Sequence, residues 1–187
     1  MIGTPLDRAV FVSNHLSWLD IPLLAGATGT TFVAKAELRG VPLVGWLCTL
    51  HDTIFVSRED RLGVAEQVQR VRQAIGDTRQ GVAMFPEGTT GDGTALLPFK
   101  ASLLAAIDPA PSGVLVQPVR IDYGVATREL AWIGGEPGAH HAARVLRRAG
   151  RFTATLHFLA PLDPANHPGR KVIAAEVQRR IEAAGGG

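Results

Sequence analysis

An α/β fold, in which one domain is built on a largely parallel central sheet flanked by helices, follows from two observations on this sequence. Short apolar runs rich in β-branched residues alternate with segments of helical period, and no linker, repeat or low-complexity stretch interrupts them. The chain has 187 residues, 46% of them hydrophobic and 19% charged, which is one domain's length and too apolar for disorder. The expected domain covers residues 1–184, with Gly185 to Gly187 as a disordered tail.

The elements follow in order. Strands are expected at Ala9–Ser13, Thr31–Lys35, Thr53–Ser57, Val82–Phe85, Val114–Ile121, Leu130–Ile133 and Phe152–Leu159. The clearest helix is Arg61–Ile75, where Val64, Val68, Val71 and Ile75 share one face. A second is expected to open with Pro98 and run to Ile107, ending at Asp108-Pro109. The last runs from Pro168 to Ala184 with Ile173, Val177 and Ile181 on one side.

Composition excludes several function classes. A formal charge of +2 is too small for a nucleic-acid surface, even with a sequence pI near 9.1. One cysteine, Cys48, rules out an internal disulfide or a multi-cysteine metal site, and no metal ligand set is expected. No run approaches the ~18 apolar residues of a membrane span; Val41 to Leu50 is about half that and contains Pro42 and Gly45. No signal-peptide pattern opens the chain. The chain reads as a bare core or as part of a longer protein with an N-terminal membrane anchor.

The sharpest local feature is Ser13-Asn14-His15-Leu16-Ser17-Trp18-Leu19-Asp20, directly after the first strand, where open α/β sheets place their active sites. A histidine with a nearby carboxylate is a general base with an orienting partner. Five residues apart on an ideal helix, the two side chains would point about 140° apart. They can meet if His15 lies in a turn and Asp20 in the first helical turn, and Pro22 favours a helix starting there. Ser17-x-x-Asp20 also reads as a capping box, so at this point both readings stand.

The second feature, Phe85-Pro86-Glu87-Gly88-Thr89-Thr90-Gly91-Asp92-Gly93, ends a strand in an acid and a glycine-rich loop. Such a loop lets backbone N–H groups approach a ligand, and Glu87 can accept hydrogen bonds. It lacks the Gly-Lys-Ser/Thr ending of a phosphate loop, and taken alone it reads better as a plain strand-to-helix turn.

Taken together, these segments resemble the glycerolipid acyltransferase family. The His-x4-Asp block is His15 to Asp20, preceded by Asn14. A Gly-x-x-Phe-Ile-x-Arg block is matched by Asp52 to Arg58, with Asp52 in place of the glycine. Phe-Pro-Glu-Gly-Thr-Arg-Ser is matched from Phe85 to Thr89, then departs at Thr90 and Gly91. A Val-Pro-Val-like strand is Val116-Gln117-Pro118-Val119. Ala34-Lys35-Ala36-Glu37-Leu38, followed by Pro42 and Gly45, is also characteristic. The likeness runs from about residue 10 to 123, and the four blocks in order favour the catalytic reading of His15 and Asp20.

The resemblance implies one-step transfer without an acyl-enzyme. The lysolipid hydroxyl gives its proton to His15 and attacks the thioester of acyl-CoA or acyl-carrier protein, while Asp20 orients the base. These are substrates, and no cofactor is implied. Arg58, Glu87, Gly88, Thr89 and Thr90 would hold the acceptor head group and Pro118 would support the site wall. The expected place is peripheral, on the cytoplasmic face of a membrane, with lysolipid, acyl donor and membrane surface as partners and no nucleic acid.

Relatives that act on glycerol phosphates usually carry arginine at the position of Thr90, and a threonine hydroxyl cannot replace that charge. The loop through Leu97-Pro98-Phe99-Lys100 resembles more closely the branch that acylates lyso-ornithine lipids, with Arg58 or Lys100 left as a phosphate contact. His140-His141 lacks the Asp of a His-His-x3-Asp site, since position 145 is Val145. Arg144, Arg147, Arg148 and Arg151 read as a solvated face or an anionic-lipid contact. Leu38 to Leu50 reads as core, acyl channel or bilayer contact; Cys48, Trp18 and Trp132 read as packing residues. The competing functions are a serine hydrolase, which lacks a Gly-x-Ser-x-Gly elbow around Ser17 or Ser102, and a non-catalytic lipid-binding module.

Overall fold

A computed structural model of the chain describes residues 1–40, 45–46, 49–50, 53–56, 63–77 and 81–185. Along the chain come β1 (Ala9–Ser13), α1 (Asp20–Thr28), β2 (Thr31–Lys35), β3 (Ile54–Val56), α2 (Val64–Asp77), β4 (Val82–Met84), a 3-10 segment (Ala101–Ile107) and β5 (Leu115–Asp122). The one-turn α3 (Thr127–Leu130), then α4 (Gly138–Leu146), β6 (Thr155–Phe158) and α5 (Arg170–Ala183) complete it. The α/β architecture is the expected one. The strands form a six-stranded sheet in the order β3-β2-β4-β1-β5-β6. Only β6 runs antiparallel, against β5 at the edge.

Side-chain alternation along β1 divides the core. Val10 and Val12 join Val71 and Ile75 of α2, Leu104 and Ile107 of the 3-10 segment, and Ile173, Val177 and Ile181 of α5 on one face. Phe11 packs on the other face with Leu24 of α1, Phe32, Tyr123, Leu130 and Phe158. Each of these buried side chains contributes on the order of 1.5–3 kcal/mol relative to exposure. The chain therefore leaves β1 toward one face and β4 toward the opposite face. Where neighbouring parallel strands diverge in this way, a crevice opens at their carboxyl ends, and the loops holding His15 and Glu87 meet there.

Three expectations are corrected. Leu130–Ile133 is not a strand: Leu130 closes α3, and the N–H and C=O of Trp132 are taken by Leu16 and Thr90. The helix expected from Pro98 begins only at Ala101, as a 3-10 segment. Before it, the N–H groups of Leu97, Phe99 and Lys100 bond to Glu87, Gln178 and Pro86, which holds them out of a helix. The last strand shortens to Thr155–Phe158. Pro42, Cys48, Asp52, Ser57, Arg58, Gly186 and Gly187 lie outside the described residues.

Candidate active site

His15 stands in the turn after β1 and Asp20 is the first residue of α1, which is how two side chains five apart come together. His15 Nδ1 lies 2.7 Å from Asp20 Oδ2. The same oxygen accepts the N–H of Leu16 at 2.6 Å and of Ser17 at 2.9 Å, and Oδ1 accepts the hydroxyl of Tyr123 at 2.5 Å. The bond from Ser17 N–H is half of a capping box, so capping and histidine orientation are performed by one carboxylate. Surrounded by donors, Asp20 is an acceptor, so the proton of the pair sits on His15 Nδ1. In the neutral imidazole this leaves the lone pair on Nε2, the nitrogen that can act as a base. Asp20 is fully buried and the His15 side chain is 18% exposed, which leaves the ring open at one edge.

The glycine-rich loop holds this turn in place. Glu87 Oε1 accepts the N–H of His15 at 2.8 Å, and the carbonyl of His15 accepts the N–H of Gly91 at 2.8 Å. Phe85 stacks on the imidazole with centroids 4.2 Å apart. Gly88 makes the turn at φ 69°, a conformation that glycine adopts without strain. Asn14 bridges the N–H and C=O of Ile121, tying the turn to β5.

Glu87, expected at the head group, has both oxygens on backbone N–H groups. Its second oxygen accepts the N–H of Leu97 at 3.0 Å, and the residue is 2% exposed. Burial raises its pKa above the ordinary value, against the two backbone bonds that lower it. Gly88, Thr89 and Thr90 do line the cleft beside His15, and Thr90 Oγ1 also donates to the carbonyl of Trp132 at 2.5 Å. Pro118 is buried inside β5 opposite Val12, and the cleft lining does not include it. Lys100 lines a neighbouring groove instead.

The cleft holds about 260 Å³ and is walled by apolar groups such as Ile21, Phe32, Val56 and Leu103. A second groove of about 350 Å³, between β2, β3, α2 and the 3-10 segment, shares Val33, Val56 and Leu103 with it. The two lie side by side on these shared apolar side chains. Ser17 is buried with its hydroxyl on the N–H of Leu19. Among the described residues, no serine hydroxyl bonds to His15.

Sequence reasoning missed Tyr123 and Glu136 and underrated Trp132. Trp132 lines the cleft, its N–H bonds to Leu16 and its carbonyl to Thr90, so it pins both motif loops. Its ring stacks on buried His141, whose pKa is lowered by burial and whose Nε2–H bonds to the Leu130 carbonyl. Of the arginine cluster, Arg144 pairs with Glu136 and Arg148 with Glu129, while Arg147 is exposed. Trp46 and Leu50, from the apolar stretch, are 58% and 56% exposed.

The model of one protein family, described as Acyltransferase, matches residues 4–122. A lyso-ornithine lipid O-acyltransferase of Pseudomonas aeruginosa is 36% identical over 96% of this chain and 69% of its own length. A 1-acyl-sn-glycerol-3-phosphate acyltransferase of Neisseria gonorrhoeae is 26% identical over 97% of this chain and 72% of its own. The crystal structure of the LPA acyltransferase PlsC from Thermotoga maritima superposes with a TM-score of 0.62 at 27% identity. That alignment covers 96% of this chain and 66% of the Thermotoga chain. The chain thus spans about two thirds of the length of these relatives.

Proposed function

The chain belongs to the acyltransferase family, and we propose that it moves a fatty acyl group from a thioester, acyl-CoA or acyl-carrier protein, to the free hydroxyl of a lysolipid of the lyso-ornithine type. The observation that carries this reading is the His15–Asp20 pair at 2.7 Å, at the mouth of an apolar cleft. His15 Nε2 takes the acceptor's hydroxyl proton as its oxygen attacks the thioester carbonyl. The tetrahedral species then expels the thiolate, which takes the proton back from the imidazolium, giving an ester and a free thiol. General-base help of this kind is worth about 10²–10⁴-fold. The acyl chain lies along the apolar wall that the cleft shares with the α2 groove, and the head group over Gly88 to Thr90.

With lipid substrates, the proposed location is peripheral, on the cytoplasmic face of a membrane. No helix among the described residues is long and apolar enough to span one. Exposed Trp46 and Leu50 supply an interfacial contact, whereas Arg144 and Arg148 are already paired within the chain. Trp46→Ser should weaken binding to vesicles more than raised salt does, and the reverse order would assign the contact to exposed charge.

Thiol release from long-chain acyl-CoA and acyl-carrier protein, run against a panel of lysolipids, tests the function. Release that depends on the acceptor and yields its ester is expected. Release without an acceptor would make the protein a hydrolase, and lipid binding with no release a non-catalytic module.

A further inference from the structure

The cleft beside His15 carries an acid that no step of acyl transfer uses. Glu136 lies between α3 and α4, lines the cleft together with Thr90 and Trp132, and has a side chain 25% exposed. Among the described residues of that lining it alone bears a permanent charge, and neither lysine nor arginine accompanies it. Its place is built rather than incidental. Arg144 Nε and Nη2 grip its two oxygens at 3.1 and 2.8 Å, and Arg144 also bonds to the carbonyls of Glu129 and Ala131. Trp132 Nε1 donates to the Glu136 carbonyl at 2.8 Å. Glu136 is part of the cleft lining and Arg144 is not.

A carboxylate has about four lone-pair sites, and Arg144 occupies two of them. A phosphate monoester entering here would meet a like charge, whereas an ammonium would meet a pre-oriented acceptor. Resting on the acyl-transfer reading, we propose that Glu136 is a specificity-determining residue that receives the protonated amine of the acceptor head group. The preferred acceptor is then a lysolipid with a primary ammonium, not a phosphate monoester.

The test compares the native protein with Glu136→Gln and Arg144→Gln on three micellar acceptors: a hydroxyl-bearing lysolipid ending in a primary ammonium, its N-acetyl derivative, and lysophosphatidate. Both kcat/KM for thiol release and Kd from tryptophan fluorescence are read. Glu136→Gln should weaken use and binding of the ammonium lipid by roughly tenfold or more, equivalent to about 1.4 kcal/mol per decade, through KM, and leave the N-acetyl lipid unchanged. Arg144→Gln breaks the same ion pair but keeps the acid, so it should preserve the ammonium preference. Equal losses on all three acceptors, loss of the preference in both variants, or a native preference for lysophosphatidate would overturn the proposal. If no acceptor supports thiol release, the acyl-transfer reading fails by itself, and the ratio of Kd values still decides the role of Glu136.

Discussion

The hydroxyl of Tyr123 sits 2.5 Å from Oδ1 of Asp20, on the carboxylate oxygen that His15 does not touch. Burial first, and the negative charge of Asp20 second, push the phenol pKa far up, so this group remains a donor at any working pH. It fixes the carboxylate plane that fixes the imidazole. Tyr123→Phe keeps the buried ring and removes only that bond. Hydrogen bonds to charged groups are worth about 1.5–3 kcal/mol, so kcat should fall on the order of tenfold with KM little changed. Steady-state kinetics check this, and a normal kcat would mean that Leu16, Ser17 and His15 suffice to hold Asp20.

Replacing the pair itself should be far more severe. His15→Ala should lower kcat by about 10²–10⁴-fold in a protein that still folds. Asp20→Asn removes the charge, and it can keep His15, Leu16 and Ser17 on its one oxygen only by turning its amide N–H to Tyr123, whose hydroxyl must then accept instead of donate. The expected result is loss of rate together with about 1–3 kcal/mol of stability, read by urea unfolding. Cys48→Ala should leave activity intact, because direct transfer needs no thiol.

Glu87 should behave as a positioning residue rather than a head-group ligand. Both of its oxygens hold backbone N–H groups, one of them that of His15. Glu87→Gln should therefore reduce kcat by the same factor on every acceptor, whereas a head-group ligand would discriminate among them. Its pH signature has a definite sign. Burial raises the folded pKa above 4.5, so between that value and the folded one the native state holds the extra proton. The contribution of Glu87 to stability is then full below pH 4.5 and is lost as pH rises through the folded value. Urea midpoints across that window should show this fall in the native protein and not in Glu87→Gln.

The sheet was legible because its strands are short apolar runs; β1 and β2 fall on their expected residues. The His15–Asp20 pair was legible because its partners are five residues apart at a strand end. Tyr123 was not, since 103 residues separate it from Asp20 and only the pairing of β1 with β5 brings them together. Leu130 to Ile133 misled for a related reason. Leu130 and Ala131 are buried against loops whose polar backbone groups replace a partner strand, while Ile133 is exposed. The charge of the cleft was equally hidden, because Glu136 follows Gly134-Gly135 in a stretch without periodicity.

That charge changes what an arginine at position 90 can do. Thr90 donates to the Trp132 carbonyl within a cleft whose permanent charge, among its described residues, is Glu136. An arginine introduced by Thr90→Arg would share this carboxylate with Arg144, which draws it away from a phosphate. The single substitution should therefore raise kcat/KM for lysophosphatidate only slightly. Thr90→Arg combined with Glu136→Gln frees the guanidinium, and one charge-assisted bond then predicts a gain of roughly 10- to 100-fold. Thr90→Val controls for loss of the Trp132 bond. The four proteins of the cycle, assayed on lysophosphatidate and on the ammonium-bearing lysolipid, give the coupling between the two positions directly. Additive effects would show that residue 90 does not face Glu136. A native enzyme already better on lysophosphatidate would move the phosphate contact to Arg58 or to Lys100 in the adjoining groove.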